Sequence, residues 1–289
     1  MTPPAPASTT DSTISVGGRQ RNYLLTVPAG YDGTEPLPLI FALHSLTVDY
    51  HVIPTSSGLT TAAKNRTFIS VYPSGLLGEG NKPYWNAAPV KDNYDVTFIT
   101  ALLDHLESML CIDTSKVFSL GMSNGAQLSS LLACRLDGRI AAIGAISGVE
   151  YDEPCTAPPT AVIAFHGTKD PFVPYDGGGL NSVTIADLNY YDGRIPAGTP
   201  TPPGVEASMA RWASHNRCKA KPVTKKISAT VEERIWQGCA APTELYVIAG
   251  GGHTWPGICY PGMEETFGMC TNDIEATPLM MDLMLGANQ

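Results

Sequence analysis

Three near-continuous apolar runs, at residues 116–122, 140–147 and 160–166, constrain this chain more than any other feature of its sequence. A strand that is apolar at every position is buried on both faces, which requires a mostly parallel sheet with helices above and below it. A helical stretch at 125–136 and a Pro/Cys loop separate the runs, as strand–helix–strand units demand. Upstream, 38–44 and 67–72 read as two further central strands, with Lys64-Asn65 closing a short helix. Residues 13–16 and 21–27 read as a hairpin about Gly17-Gly18. Between 92 and 110, Val96, Ile99, Leu102, Leu103, Leu106 and Leu110 fall on one face of a helix that Asp92 or Asn93 caps. A helix at 205–216, a strand pair across 223–236, a strand at 244–249 and a helix at 273–285 complete the prediction. Gly, Pro, Asp and Tyr dominate 171–204, which reads as a long excursion over the sheet edge. No repeat or linker divides the chain, so a disordered leader at 1–12 and one catalytic-sized α/β domain at 13–289 are expected.

Composition removes several classes of function. The 18 Lys and Arg are outnumbered by 27 Asp and Glu, for a net charge of −9 without a basic block, so no nucleic-acid partner is expected. No run approaches the roughly 18–20 apolar residues of a membrane span. Seven cysteines without a C-x-x-C pair or zinc-type spacing point to disulfides, hence an oxidising compartment, and not to a metal. The Pro/Ser/Thr-rich start has no apolar signal core of its own and reads as the segment that follows a removed signal peptide, so an extracellular location is expected.

The chemistry starts at Gly121-Met122-Ser123-Asn124-Gly125, a G-x-S-x-G between a predicted strand and a predicted helix. In that context it is a nucleophile elbow, a turn that exposes a serine hydroxyl at the end of a strand. A serine hydroxyl needs a histidine to take its proton and a carboxylate to orient that histidine. Asp170 follows the 160–166 strand and is the expected acid; Asp176 and Asp187 lie deeper in the polar excursion. His253 follows the last strand through Gly250-Gly251-Gly252 and is the expected base. His215 reads as a helix-surface residue, and His44 and His166 end strands. The oxyanion requires two backbone N–H donors. Asn124 supplies one by position, and Leu46 or Thr47, in the turn after the 38–44 strand, supplies the other. Trp85 and Trp255 are either an aromatic wall for the substrate or core packing; with His44 and Thr47 they complete the candidate substrate-binding set.

With these residues assembled, the sequence resembles the secreted esterase family that includes polyhydroxybutyrate depolymerases and bacterial-type feruloyl esterases. The resemblance runs from about 14 to 285 and rests on Tyr84-Trp85-Asn86-Ala87, Tyr94-Asp95-Val96-Thr97-Phe98-Ile99, Cys111-Ile112-Asp113, the segment from Gly121 to Ala126, His166-Gly167-Thr168-Lys169-Asp170-Pro171 and Gly251-Gly252-His253-Thr254-Trp255-Pro256-Gly257. It implies an α/β-hydrolase fold, a Ser123, Asp170, His253 triad, and ester cleavage without metal or cofactor. Two positions depart from the family pattern. Ser45 follows His44 where relatives carry Gly, and Ala88-Pro89-Val90 stands where a Cys-Cys is usual. The resemblance pairs Cys218 with Cys239. Cys259 with Cys270 and Cys134 with Cys155 are the further expected bridges, leaving Cys111 free and buried. The expected substrates are hydroxycinnamoyl esters of plant cell walls, with a polyester as alternative and an inactive secreted binding protein as the non-enzyme alternative. A monomer is expected.

Overall fold

A computed structural model describes residues 7–178 and 203–286. Twelve strands are present among them: β1 (Ser8–Val16), β2 (Arg19–Val27), β3 (Leu37–Leu43), β4 (Ile69–Pro73), β5 (Leu76–Leu77), β6 (Pro83–Tyr84), β7 (Ile112–Met122), β8 (Ala142–Ile146), β9 (Ala161–Gly167), β10 (Val223–Lys226), β11 (Val231–Ile235) and β12 (Thr243–Ile248). The helices are α1 (Ile53–Ser56), α2 (Leu59–Ala62), α3 (Tyr94–Met109), α4 (Asn124–Arg135), α5 (Val205–His215), α6 (Glu264–Phe267) and α7 (Ala276–Leu285). Ten strands form one sheet in the order β1-β2-β4-β3-β7-β8-β9-β12-β11-β10, and β5 pairs separately with β6. From β4 to β12 the neighbours run parallel. An antiparallel pair closes each side, β1-β2 against β4 and β11-β10 against β12.

The apolar runs are continuous because alternate residues feed two different cores. On β3, Leu39, Phe41 and Leu43 pack into the layer holding Phe98, Leu102, Leu128 and Trp212, while Ile40 and Ala42 face the layer holding Leu59, Met280 and Met281. The same alternation divides Val162 and Ala164 from Ile163 and Phe165 on β9. A period of two with apolar residues in both phases is the mark of a strand covered twice. Asn93 caps α3, its side chain accepting the N–H groups of Asp95 and Val96.

The first strand corrects the expected leader. Residues 8–12 are not disordered but belong to β1, where Ser8 to Ser12 pair with Val27 to Tyr23 in a regular antiparallel register. Their polar side chains hid the strand, because β1 is an edge strand exposed along most of its length. The expected disorder of residues 1–6 lies outside the described residues, as do Asp187 and most of the 171–204 excursion. The three disulfides join Cys134 to Cys155, Cys218 to Cys239 and Cys259 to Cys270. Cys111 is free as expected but half-buried, not buried, with its Sγ toward the carbonyl of Thr34. Among the described residues no helix is long and apolar enough to cross a membrane.

Candidate active site

Parallel strands place their C-terminal ends at one edge, and the loops that leave this edge carry the candidate residues. Register carries the alignment across: Leu43 pairs with Gly121, Met122 with Ile146, Ile146 with Phe165, and Gly167 with Ile248. Ser123 therefore leaves β7 at the edge from which Asp170 leaves β9 and His253 follows β12.

Ser123 has φ 57° and ψ −124°, a backbone conformation that a residue with a Cβ rarely adopts. The surroundings enforce it. Ser123 donates its N–H to Ile146 O at 2.8 Å and accepts from Gln127 N at 3.0 Å, so the residue is held by β8 on one side and α4 on the other. A Cβ on Gly125 would lie 2.3 Å from Leu43 O, which leaves glycine as the residue that lets α4 start against the end of β3.

Asp170 and His253 are brought together by a backbone crossing. A Cβ on Gly167 would lie 2.2 Å from Gly251 O, so the loops after β9 and β12 pass at a distance no side chain permits. Thr168 N and Lys169 N donate to Ile248 O and Gly251 O across this crossing, at 2.9 and 2.8 Å. Asp170 is buried, and its Oδ1 accepts the N–H groups of Phe172 and Val173 at 2.9 Å each. His253 Nδ1 donates to Asp170 Oδ2 at 2.8 Å. Burial alone would raise the pKa of Asp170. The hydrogen bond and charge of His253, with the Val173 N–H, outweigh it and hold the carboxyl below its ordinary value. With Nδ1 committed as a donor, the acceptor lone pair of neutral His253 lies on Nε2, as a general base requires. The structure contains no direct Ser123–His253 hydrogen bond; such contacts are often long without substrate and tighten when it binds.

Four sequence expectations change here. Thr47 donates its N–H to Pro83 O at 2.8 Å, so it cannot serve the oxyanion; Leu46 N–H has no acceptor among the described residues. Trp85 is fully buried and Trp255 nearly so, and both are core packing, not a substrate wall. Trp255 Nε1 donates to Thr277 Oγ1. His44 is also buried and does not face substrate: Gly75 N donates to its Nε2 at 2.9 Å, its Nδ1–H donates to Ser45 O at 2.8 Å, and it stacks on Trp85. Asp176 is exposed, as the polar excursion suggested.

Sequence reasoning missed the second role of Asn124. Its side chain accepts from Trp85 N at 2.7 Å and donates to Trp85 O at 3.1 Å, while Trp85 Nε1 donates to His44 O at 2.9 Å. The residue after Ser123 is thus tied through Trp85 to the turn that carries Leu46. A further link holds this segment, because buried Asp95 accepts from Asn86 N at 2.7 Å and pairs with Arg21 at 2.6 Å. No local pattern signals it, because Trp85 and Asn124 lie 39 positions apart.

Comparison with known proteins now decides the family. Residues 21–177 match the model of the family described as esterase PHB depolymerase. The chain belongs to this family. It is 31% identical over 275 residues to feruloyl esterase D of Neurospora crassa, covering 88% of this chain and 81% of that protein. It is 34% identical over 187 residues to feruloyl esterase C of Emericella nidulans, covering 62% of this chain and 63% of that one. The solved acetyl xylan esterase from Aspergillus awamori superposes with a TM-score of 0.62 over 89% of this chain and 97% of that chain, at 17% identity, a likeness of fold. The chain is a carboxylic ester hydrolase on the α/β-hydrolase fold.

Two predictions follow from the packing of the site. Burial, opposed by the Ser45 carbonyl and Asp49, pushes His44 down to about 4 from 6.5. Because the folded state takes up this proton later than the unfolded state, stability is intact above 6.5 and falls as pH drops from 6.5 to 4. The loss is about 3 kcal/mol. Urea unfolding across this range measures it, and His44→Gln, which can keep both hydrogen bonds, flattens that part of the slope. The second prediction concerns the loop 259–270. Phe267 O and Met269 O accept the N–H groups of His253 and Gly252, at 2.6 and 2.8 Å, so the Cys259–Cys270 bridge closes the segment that holds the histidine backbone. Replacing both cysteines with Ser lowers kcat/KM for a soluble ester roughly tenfold while leaving the unfolding transition of the core cooperative; full activity in the double variant contradicts this role.

Proposed function

We propose that this protein is an exported hydroxycinnamoyl esterase that works through an acyl-enzyme on Ser123. The observation that carries the mechanism is the His253–Asp170 hydrogen bond, made at the strand edge where Ser123 stands in its strained elbow. Ser123 Oγ attacks the ester carbonyl as His253 Nε2 takes its proton. Asp170 keeps the imidazole in the required tautomer and stabilises the imidazolium. The tetrahedral oxyanion accepts from the backbone N–H groups of Asn124 and Leu46. His253 then protonates the leaving alcohol, and water, deprotonated by the same imidazole, releases the acid and restores Ser123.

Two feruloyl esterases among the relatives support an aromatic acyl group. The family's name favours a second reading, hydrolysis of a polyhydroxyalkanoate or another polyester. Three disulfides support export, since such bridges persist in oxidising compartments.

Product release from methyl ferulate and from a polyhydroxybutyrate film, measured side by side with Ser123→Ala as the blank, separates the readings. The expected outcome is preferential release of ferulate, reduced by at least about 10³-fold in the variant. Preference for the film would make the protein a polyester depolymerase. Equal turnover by Ser123→Ala would overturn the nucleophile.

A further inference from the structure

Ser45 is one of the two places where the chain departs from the family pattern, and the proposed acyl transfer gives it no part. Its side chain is half-buried, and its Oγ–H donates to the carbonyl of Met122 at 3.1 Å, across 77 positions of sequence. Met122 is the residue before Ser123. The peptide unit that joins them therefore has both polar ends held, its N–H by Ile146 O at 2.8 Å on β8 and its C=O by Ser45. A peptide unit is planar, so holding both ends fixes the plane from which Ser123 takes its φ of 57°. The next unit is fixed as well. Ser123 O accepts from Gln127 N at 3.0 Å, and a Cβ on Gly148 would lie 2.5 Å from that oxygen. A strained residue persists only where its surroundings over-determine it, and Ser45 supplies one of the restraints.

The same residue closes the turn on the other side. Ser45 O accepts from His44 Nδ1 at 2.8 Å and from Val48 N at 3.1 Å, so 45–48 is a turn with Leu46 and Thr47 at its central positions. Thr47 has φ 68°, the sign that a type II turn requires at its third residue. The backbone ladder between β3 and β7 ends at the pair Leu43–Gly121. Beyond that pair the Ser45 hydroxyl carries the connection. Its carbonyl shapes the turn that presents Leu46 N–H, and its hydroxyl fastens this turn to the peptide that leads into Ser123 and Asn124. Glycine at 45 makes no such bond.

We propose that Ser45 is a positioning residue for the oxyanion: its hydroxyl keeps the turn that presents Leu46 N–H in register with the elbow that presents Asn124 N–H, so that both donors meet the same oxygen. The inference rests on the acyl-transfer reading of Ser123, Asp170 and His253. Ser45 does not itself touch the oxyanion. A hydroxyl has one proton to donate, and this one goes to Met122 O. The effect falls on the tetrahedral intermediate, where charge develops on the carbonyl oxygen, and not on the bound ester. Loss of the tie therefore lowers kcat and leaves KM in place.

The test measures kcat and KM for p-nitrophenyl acetate in wild type, Ser45→Ala and Ser45→Thr, with Ser123→Ala as the blank. Each active protein is also treated with a trifluoromethyl ketone carrying 13C at its carbonyl carbon. Ser123 Oγ bonds to that carbon, the serine proton passes to His253, and the carbonyl π pair moves to oxygen, giving a hemiketal oxyanion held by the two N–H groups. Its protonation, followed by the 13C resonance, reports how strongly it is held. Ser45→Ala lowers kcat about tenfold at unchanged KM, and its hemiketal titrates about one pH unit higher, the same factor of ten. Ser45→Thr, which keeps the hydroxyl, restores both. Wild-type kcat in Ser45→Ala overturns the proposal, as does a loss of activity with the hemiketal titration unmoved, which marks a merely structural serine. A Thr variant as impaired as the Ala variant overturns it too, because the hydroxyl is then not what matters. Failure of wild type to form a hemiketal on Ser123 would instead overturn the acyl-transfer reading itself.

Discussion

Backbone running against backbone, with no side chain between, is the constraint on which the site depends. It occurs where α4 begins against the end of β3 at Gly125, and where the loops after β9 and β12 cross at Gly167. The first contact forces the chain to turn at Ser123 into a conformation that exposes its side chain. The second brings Asp170 and His253 to 2.8 Å although 83 residues separate them. Neither contact has any slack, because a Cβ at either glycine would lie within 2.3 Å of a carbonyl oxygen. Packed interiors transmit such constraints rigidly, so the geometry of the candidate site is set by the fold itself.

Around this frame lies a buried polar network that uses side chains as splints for backbone. Arg21, on β2, reaches Asp95 at the start of α3; Asp95 holds Asn86; Trp85 joins Asn124 to His44; and His44 holds Gly75 and Ser45. The Arg21–Asp95 pair contributes little net stability, since removing both charges from water costs about as much as their attraction returns. Its consequence is positional. Every group it satisfies is a loop segment at the strand edge, and loops have no ladder of their own to fix them. The turn that carries Leu46 and the helix start that carries Asn124 are tied to one residue, Trp85. The two N–H groups proposed as oxyanion donors, from distant parts of the chain, are thereby kept in fixed relation, the condition under which such donors act without reorganising.

Periodicity made most of the architecture legible. Strands buried on both faces announce themselves as apolar runs, and helix α3 as an apolar stripe with a capping Asn93. Edge structure was less visible: the start of β1 carries the polar STTDS, whose partner strand alone makes it a strand. In the candidate site, Ser123, Asp170 and His253 could be proposed from the sequence because each follows a strand that parallel order sends to one edge, and the structure sets Asp170 against His253 there. Trp85, Trp255 and His44 were misread as substrate contacts, since residue type cannot tell a wall from a core and only burial decides. Thr47 was misread because its N–H is used by Pro83, a partner 36 positions away that no local pattern reveals.

The central claim is that Ser123 is a nucleophile activated by the His253–Asp170 pair. Mass spectrometry of the protein after reaction with a serine-directed phosphonate tests it most directly. The account predicts one equivalent of label, carried by the peptide containing Ser123, with labelling slowed by at least about 10³-fold in His253→Ala. Label on another residue, or labelling of Ser123 at an unchanged rate without His253, would contradict it.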